Sequence, residues 1–439
     1  MKGVKTTLEQ MNLPGVPRAK QGREVAPKWA WTEATVWTER MLETLERGVQ
    51  GGRWYSLIDK VWKKETLEQA ARAVVSRKGA AGIDGESTEA FKAKQSEHVE
   101  LLSRLVREGR YLPQPVKRAW IEKPGSPEKR PLGIPTVRDR VVQTAMVYVL
   151  EPIFEKDFAE HSYGFRPGRN AQQAIGRVER LLNEGHTWVV DADLKGYFDS
   201  IPQDRLKEVV AEKVIDGPVL ELVEAYLKQG VMETGKGWTP TERGTPQGAV
   251  LSPLLANVYL DRLDHLMAQK GYAMTRYADD FVVQCRSREE AEGAMKEIRE
   301  WTEAAGLTLH PEKTRIVDAN QPGGFEFLGW HFERGMKWPR EKSVKRFKEA
   351  LRAETPRQAG HSLERIIQGV NRRLRGWKAY FRGGNGSIYR ELDQWLRMRL
   401  RSLLRQRDGR KGRGRGYDHN RYPNAFFTEL GLISLNAST

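Results

Sequence analysis

The sequence predicts an α+β protein: a core of interleaved strands and helices, followed by an all-helical C-terminal region. Three observations carry that prediction. Short apolar, β-branched runs bounded by Gly and Pro alternate with helical spacing between about residues 116 and 332. The composition shifts after Trp338, and beyond it only helical periodicity remains. The length of 439 residues, at 39% hydrophobic content, suffices for a large buried core and more than one unit.

Residues 1–53 carry Pro, Gly and charge, with little periodicity before Thr38, and read as a partly disordered N-terminal extension that enters a helix near 35–47. Ser56–Leu67 is predicted helical, the Gly-rich stretch 80–87 is a turn, and a helix over 87–108 follows from the spacing of Leu101, Leu102, Leu105 and Val106. Val116–Glu122 is a strand, and 123–134 has the turn chemistry of a hairpin. Helices are predicted over 137–158 and 171–183, then a short buried strand over Trp188–Leu194. Helices near 203–213 and 218–228 precede a Gly/Thr/Pro loop at 239–248 and a long helix from Pro253 to Gln269. Alternation over 273–285 predicts a β-hairpin with Ala278-Asp279-Asp280 at its tip. A helix over 288–305 and strands near 307–317 and 325–332 complete the core. The last helices fall at 341–353, 362–381 and 388–407. The middle one gathers Leu363, Ile366, Ile367, Val370, Leu374, Trp377 and Phe381 on one face and Arg365, Arg372, Arg373 and Lys378 on the other. The Arg/Gly tract 408–416 reads as a flexible, phosphate-contacting loop.

Charge narrows the partners. Lys and Arg number 74 against 58 Asp and Glu, a net +16. That excess points to nucleic acid or an anionic membrane surface, against the plain alternative of a basic soluble surface. No run approaches the ~18 apolar residues of a membrane span, so no membrane partner is expected. The N-terminal ten residues have neither the apolar core of a secretory signal nor the acid-free composition of a transit peptide. Cys285 is the only cysteine, which excludes a disulfide and a Cys-ligated zinc site. A catalytic metal would therefore have oxygen ligands, which suits Mg²⁺. A cytoplasmic protein facing nucleic acid is expected.

Two acidic strand ends carry the chemistry: Val189–Asp199, and Tyr277-Ala278-Asp279-Asp280 at the hairpin tip. Nucleotidyl transfer uses two divalent ions ~3.5–4 Å apart, held by carboxylates on rigid elements. Strand alternation puts Asp191 and Asp193 on one face. Asp193 is assigned as the ligand because Phe198 then stands five residues on. The plain alternative is a solvated surface turn, with Asp191 and Asp199 merely exposed.

Several blocks in order resemble the reverse transcriptases over 116–335. They are Arg130–Gln143, Ser162–Asn170, the Asp193 segment, Gly244–Asn257, Tyr277–Asp280, Gly306–Thr314 and Phe325–Trp330. The resemblance implies a right-hand polymerase fold, with fingers and palm over 54–335 built from an antiparallel sheet plus helices. It implies that Asp193, Asp279 and Asp280 bind two Mg²⁺ ions, or Mn²⁺ in their place, with Asp280 the weaker ligand. Phe198 would be the steric gate that excludes a 2′-hydroxyl, or else a core Phe. Arg130 would meet the incoming triphosphate, with Lys129 the fallback, and Gln247 would line the nucleotide pocket between Pro246 and Gly248. Lys313 would act on the leaving phosphate or be solvated. Arg166 and Arg169 would touch template phosphate or the neighbouring fingers. Tyr277 would support the primer end or pack on the palm.

Beyond Trp338, Gly376–Phe381 and Asn424–Leu435 resemble the thumb and maturase region (domain X) of group II intron proteins. With Ala80–Gly85, the chain is similar to the bacterial type that lacks an endonuclease. A helical thumb/maturase domain over 336–439 is thus expected to bind the intron RNA and assist splicing. The palm would copy that RNA into DNA during retrohoming, from an RNA template, a DNA primer, target DNA and dNTPs. Arg372, Arg373, Lys378, Arg397, Arg399, Arg401, Arg405 and Arg407 are the expected nucleic-acid contacts, or a solvated basic face. Endonuclease-bearing relatives add a C-terminal domain with a cluster of Cys pairs and His residues, and this sequence has no such cluster, so a mobile form would be expected to use a primer already present. The alternative on the same palm is a domesticated or defence-associated reverse transcriptase. Either way, a bacterial cytoplasmic location at the nucleoid and with RNA is expected.

Overall fold

The structure, a computed structural model, describes residues 27–122, 129–356 and 360–436. The strands are β1 (Val116–Glu122), β2 (Lys129–Ile134), β3 (Trp188–Asp193), β4 (Val231–Glu233), β5 (Gly237–Thr239), β6 (Ala273–Tyr277), β7 (Asp280–Cys285), β8 (Arg315–Asp318), β9 (Phe325–Phe327), β10 (Trp330–Glu333) and β11 (Met336–Pro339), and the central β3 and β7 are rich in the β-branched and aromatic residues that fit a pleated, buried surface. They build three sheets, ordered β2-β1-β4-β5, β6-β7-β3-β8 and β11-β10-β9. The second is antiparallel throughout. In the first, β1 runs antiparallel to β2 and parallel to β4. The bend of the hairpin expected at 123–134 lies outside the described residues.

The second sheet separates two apolar cores, because successive side chains of a strand point to opposite faces. Val190, Ala192, Met274, Phe281, Val283 and Cys285 enter the larger core, with the helices Ser252–Gln269 and Arg288–Ala304. Val189 and Val282 enter the other core, with the helix Ala171–Asn183, the third sheet and the C-terminal helices. Asp191 and Asp193 share the Val189 face, and Asp280 shares that of Val282. The acidic ends therefore project beyond the same core. Cys285 is fully buried, and burial, followed by nearby Glu290, pushes its thiol up to about 12.

Four expectations need correction. The stretch from Pro27 to Arg53 is no separate extension: Trp29, Val36, Trp37, Leu42 and Leu45 enter the larger core, and Trp37 Nε1 donates to Tyr148 O at 2.8 Å. Its tryptophans supply burial that helical periodicity does not register. The helix expected over 56–67 is two, Ile58–Trp62 and Lys64–Ser76, broken where Lys63 turns extended at ψ 128°. Likewise 87–108 splits into Thr88–Ala93 and Gln95–Arg107 at Lys94. The strand expected at 307–317 shrinks to β8, and Leu309 only bridges Leu194.

The C-terminal region consists of helices Glu341–Glu354, Leu363–Tyr380, Gly386–Arg407, Gly416–Arg421 and Asn424–Glu429. The chain end folds back over them: Asp393 accepts from Ser434 and from the backbone N–H groups of Leu435 and Asn436. A division at 335/336 falls in the β10–β11 turn, so β11 belongs to the third sheet.

Candidate active site

Tyr277 pairs with Asp280, leaving Ala278 and Asp279 as the two-residue tip of the β6–β7 hairpin. Ala278 has φ 59°, the left-handed conformation such a turn requires. Arg276 supports it from beneath. Its fully buried guanidinium grips Asp264 two-pronged and donates to Asn257 Oδ1 at 2.9 Å and to Ala278 O at 2.8 Å. Asn257 Nδ2 in turn donates to Gly164 O at 2.8 Å, and Tyr163 N–H donates to Arg276 O at 2.9 Å. A Cβ at Gly164 would collide with the backbone of Ala278. Sequence reasoning missed this clamp. Its signals were an Arg inside an apolar strand, with Asn257 and Asp264 seven apart on one helix face.

Across the sheet Asp193 stands directly opposite Asp280. Burial, then Asp191, Asp279 and Asp193, pushes the Asp280 carboxyl up to about 7. Asp279 is also raised, by burial and then by Asp193. Asp191 is not a solvated bystander: burial lifts it to about 6, against the pull of Arg315 at 3.5 Å. Lys313 Nζ donates to Asp193 Oδ2 at 2.8 Å. Among the described residues no three acidic, His or Cys side chains already converge as a metal-ligand set. The donor chemistry nevertheless fits hard divalent cations, since half-buried, mutually repelling, all-oxygen carboxylates are what such ions neutralise.

Phe198 is half-buried at the edge of the larger core, while Tyr197 beside it is buried and donates to Ala256 O at 2.6 Å. Arg130 is exposed, and its charge reaches Asp279. Gln247 lines a cleft of about 550 Å³ beneath the first sheet, shared with Arg118, Trp120, Asp199 and Pro246. Its carbonyl accepts from Gly133 N–H at 2.7 Å, and a Cβ at Gly248 (φ 108°) would stand 2.7 Å from Gly133 O. Tyr277 packs on the smaller core.

Several basic residues are not where an RNA-facing role needs them. Arg166 is buried, paired with Glu155 and bonded to the carbonyls of Ala159 and Ser162. Arg169 is half-buried, donates to Glu160 O and lies over the Tyr163 ring. Arg401 is buried, bonding Tyr422 O and Asn424 Oδ1, and Arg405 pairs with Asp418. Lys378 donates to Ser434 O, Arg399 to Thr355 and Arg407 to His361 O. For Lys378, Arg401 and Arg405 the partner is the returning chain end, which takes these cations as staples, whereas Arg399 and Arg407 are held by the chain just before the helix Leu363–Tyr380. The 408–416 tract joins the returning end, Gly414 N–H donating to Ser402 Oγ. Arg397 is half-buried. Arg372 and Arg373 are exposed and, with Arg340 and Arg346, line a cleft of about 560 Å³ beside Trp377 and Tyr380. Arg373 also pairs with Glu354 at 3.0 Å.

Comparison with known proteins gives this geometry its class. Residues 121–332 match the family model described as reverse transcriptase (RNA-dependent DNA polymerase), and 344–422 match the group II intron maturase-specific domain. Protein YkfC of Escherichia coli is 33% identical over 314 residues, covering 62% of this chain and 81% of that protein. The group II intron-encoded protein LtrA of Lactococcus lactis is 38% identical over 202 residues, 46% of this chain and 33% of LtrA. A telomerase structure from Candida albicans overlaps 72% of this chain and 64% of its own at TM-score 0.41 and 13% identity. The chain belongs to the reverse transcriptases that carry a group II intron maturase domain, and is an RNA-directed DNA polymerase.

Proposed function

We propose that this protein binds a group II intron RNA, assists its splicing as a maturase, and copies the intron RNA into DNA during retrohoming by a two-metal nucleotidyl transfer. The observation that carries the polymerase half is Asp193 facing Asp280 across β3 and β7, with Asp279 at the adjoining tip. These carboxylates would hold two Mg²⁺ ions, which supply activation of the primer 3′-hydroxyl and charge stabilisation on the triphosphate. The chain's own groups do the rest. Arg130 offers a planar, permanently charged donor to the triphosphate. Phe198 lies beneath the sugar and excludes a 2′-hydroxyl, and Gln247 borders the base. Lys313, kept beside the acids by its bond to Asp193, meets the leaving phosphate. Tyr277 backs the primer end.

RNA binding draws on the net charge of +16 and on the Arg-lined cleft at Arg372 and Arg373. The partners are the intron RNA, an RNA template with a DNA primer, target DNA and dNTPs. The place of action is the bacterial cytoplasm, at the nucleoid and with RNA. Primer extension on an RNA template with Mg²⁺, run beside a splicing assay on the cognate intron, tests both halves. Asp279→Ala is expected to abolish cDNA synthesis and leave intron binding and splicing near wild type. Undiminished extension by that variant would overturn the metal assignment.

A further inference from the structure

A second aromatic ring stands against Phe198. Phe165 is 50% exposed and meets Phe198 edge-on, with ring centroids 6.4 Å apart and planes at 80°. Its backbone has φ 58°, a left-handed conformation that bulky residues adopt only under constraint. The constraint is the clamp that carries the hairpin tip. Tyr163 is bonded to Arg276, Gly164 is held by Asn257, and Gly164 lies against Ala278 with no room for a Cβ. A ring left half in water gains little from burial, and Asn or Gly would sit at this φ with less strain. The strained aromatic is explained by what it touches. Phe198 also meets Tyr197, at 5.6 Å and 66°. Tyr197 is itself fixed by its bond to Ala256 O.

We propose that Phe165 is a positioning residue for sugar selection: it braces Phe198 from the open side, wedging that ring between Tyr197 and Phe165 at a fixed depth. A gate discriminates only when it cannot yield, and an unbraced Phe198 ring could turn aside for a 2′-hydroxyl. The inference rests on the reading of Phe198 as the gate. It joins selection of the sugar to the clamp under Asp279, since both hang on Arg276 and Asn257.

The test is the dNTP-to-rNTP ratio of kcat/KM on one RNA template, measured for the full chain and its variants. Phe165→Asn, which accepts the left-handed backbone, is expected to melt no lower than wild type. Its ratio should fall by up to about tenfold, the worth of one edge-to-face pair, mainly through a lower ribonucleotide KM. Phe165→Tyr should keep the wild-type ratio. Phe165→Leu provides a second reading if the Asn variant does not fold. In a Phe198→Ala background, Phe165→Asn should add nothing, because Phe165 acts through that ring. If Phe198→Ala relaxes selection while Phe165→Asn and Phe165→Leu keep the wild-type ratio, the brace is overturned and the gate stands. If Phe198→Ala leaves the ratio unchanged, the gate reading falls and the brace falls with it.

Discussion

Arg276 is the residue on which the site turns. Its guanidinium and the Asp264 carboxylate are both fully buried. Such a pair adds little over an apolar substitute, but removing one member leaves an unpaired charge in the core. Asp264→Ala is therefore expected to cost about 3–5 kcal/mol in urea unfolding. The loss should exceed that of a double change of both partners to well-fitting apolar residues. Arg276 shows how much was legible residue by residue. The three aspartates stood out because their strand-end acids fall, in order, among the blocks that resemble the reverse transcriptases. The Arg–Asp–Asn clamp did not, because its members lie on different elements and acquire meaning only when β6 lies on the helix Ser252–Gln269. Arg401 and Arg405 misled for the opposite reason. Four-residue spacing marks one helix face but does not say whether water or the returning chain covers it.

At the scale of elements, periodicity placed most helices and the β6–β7 hairpin, since long patterned runs leave little choice of period. It did not reveal the breaks at Lys63 and Lys94, where the pattern of apolar residues continues across a backbone kink. Nor did it reveal β4 and β5, of three residues each, one of which pairs in parallel with a strand more than a hundred residues earlier. The helix Val137–Glu155 carries a testable electrostatic feature. Burial, with Glu155 adding, pushes Glu151 up to about 7 from the ordinary 4.5. The folded state thus holds this proton more tightly than the unfolded chain does. Its stabilising contribution is full below pH 4.5 and is lost as the pH rises through about 7. Glu151→Gln should flatten the fall in melting temperature over that window, and a profile identical to wild type would remove Glu151 as its source.

For the whole molecule the net charge of +16 sets the terms of binding. Each phosphate contact removed should shallow the log–log salt slope of RNA affinity by about 0.7–0.9. Arg372→Ala with Arg373→Ala is therefore expected to reduce the slope by up to about two contacts' worth with melting unchanged. Arg401→Ala should lower melting and alter the slope little. Filter binding of the intron RNA across a salt series separates the two; equal slopes for the wild type and the Arg372/Arg373 variant would take those residues off the RNA. The sealed thiol has a practical consequence. The chain's one cysteine, Cys285, is fully buried with its thiolate suppressed, and so should be inert to maleimide at neutral pH. Cysteines introduced at exposed Ile121 and Met398 would then take a dye pair in an otherwise native background. Energy transfer between them would report whether the distance from β1 to the helix Gly386–Arg407 changes when a nucleotide is added.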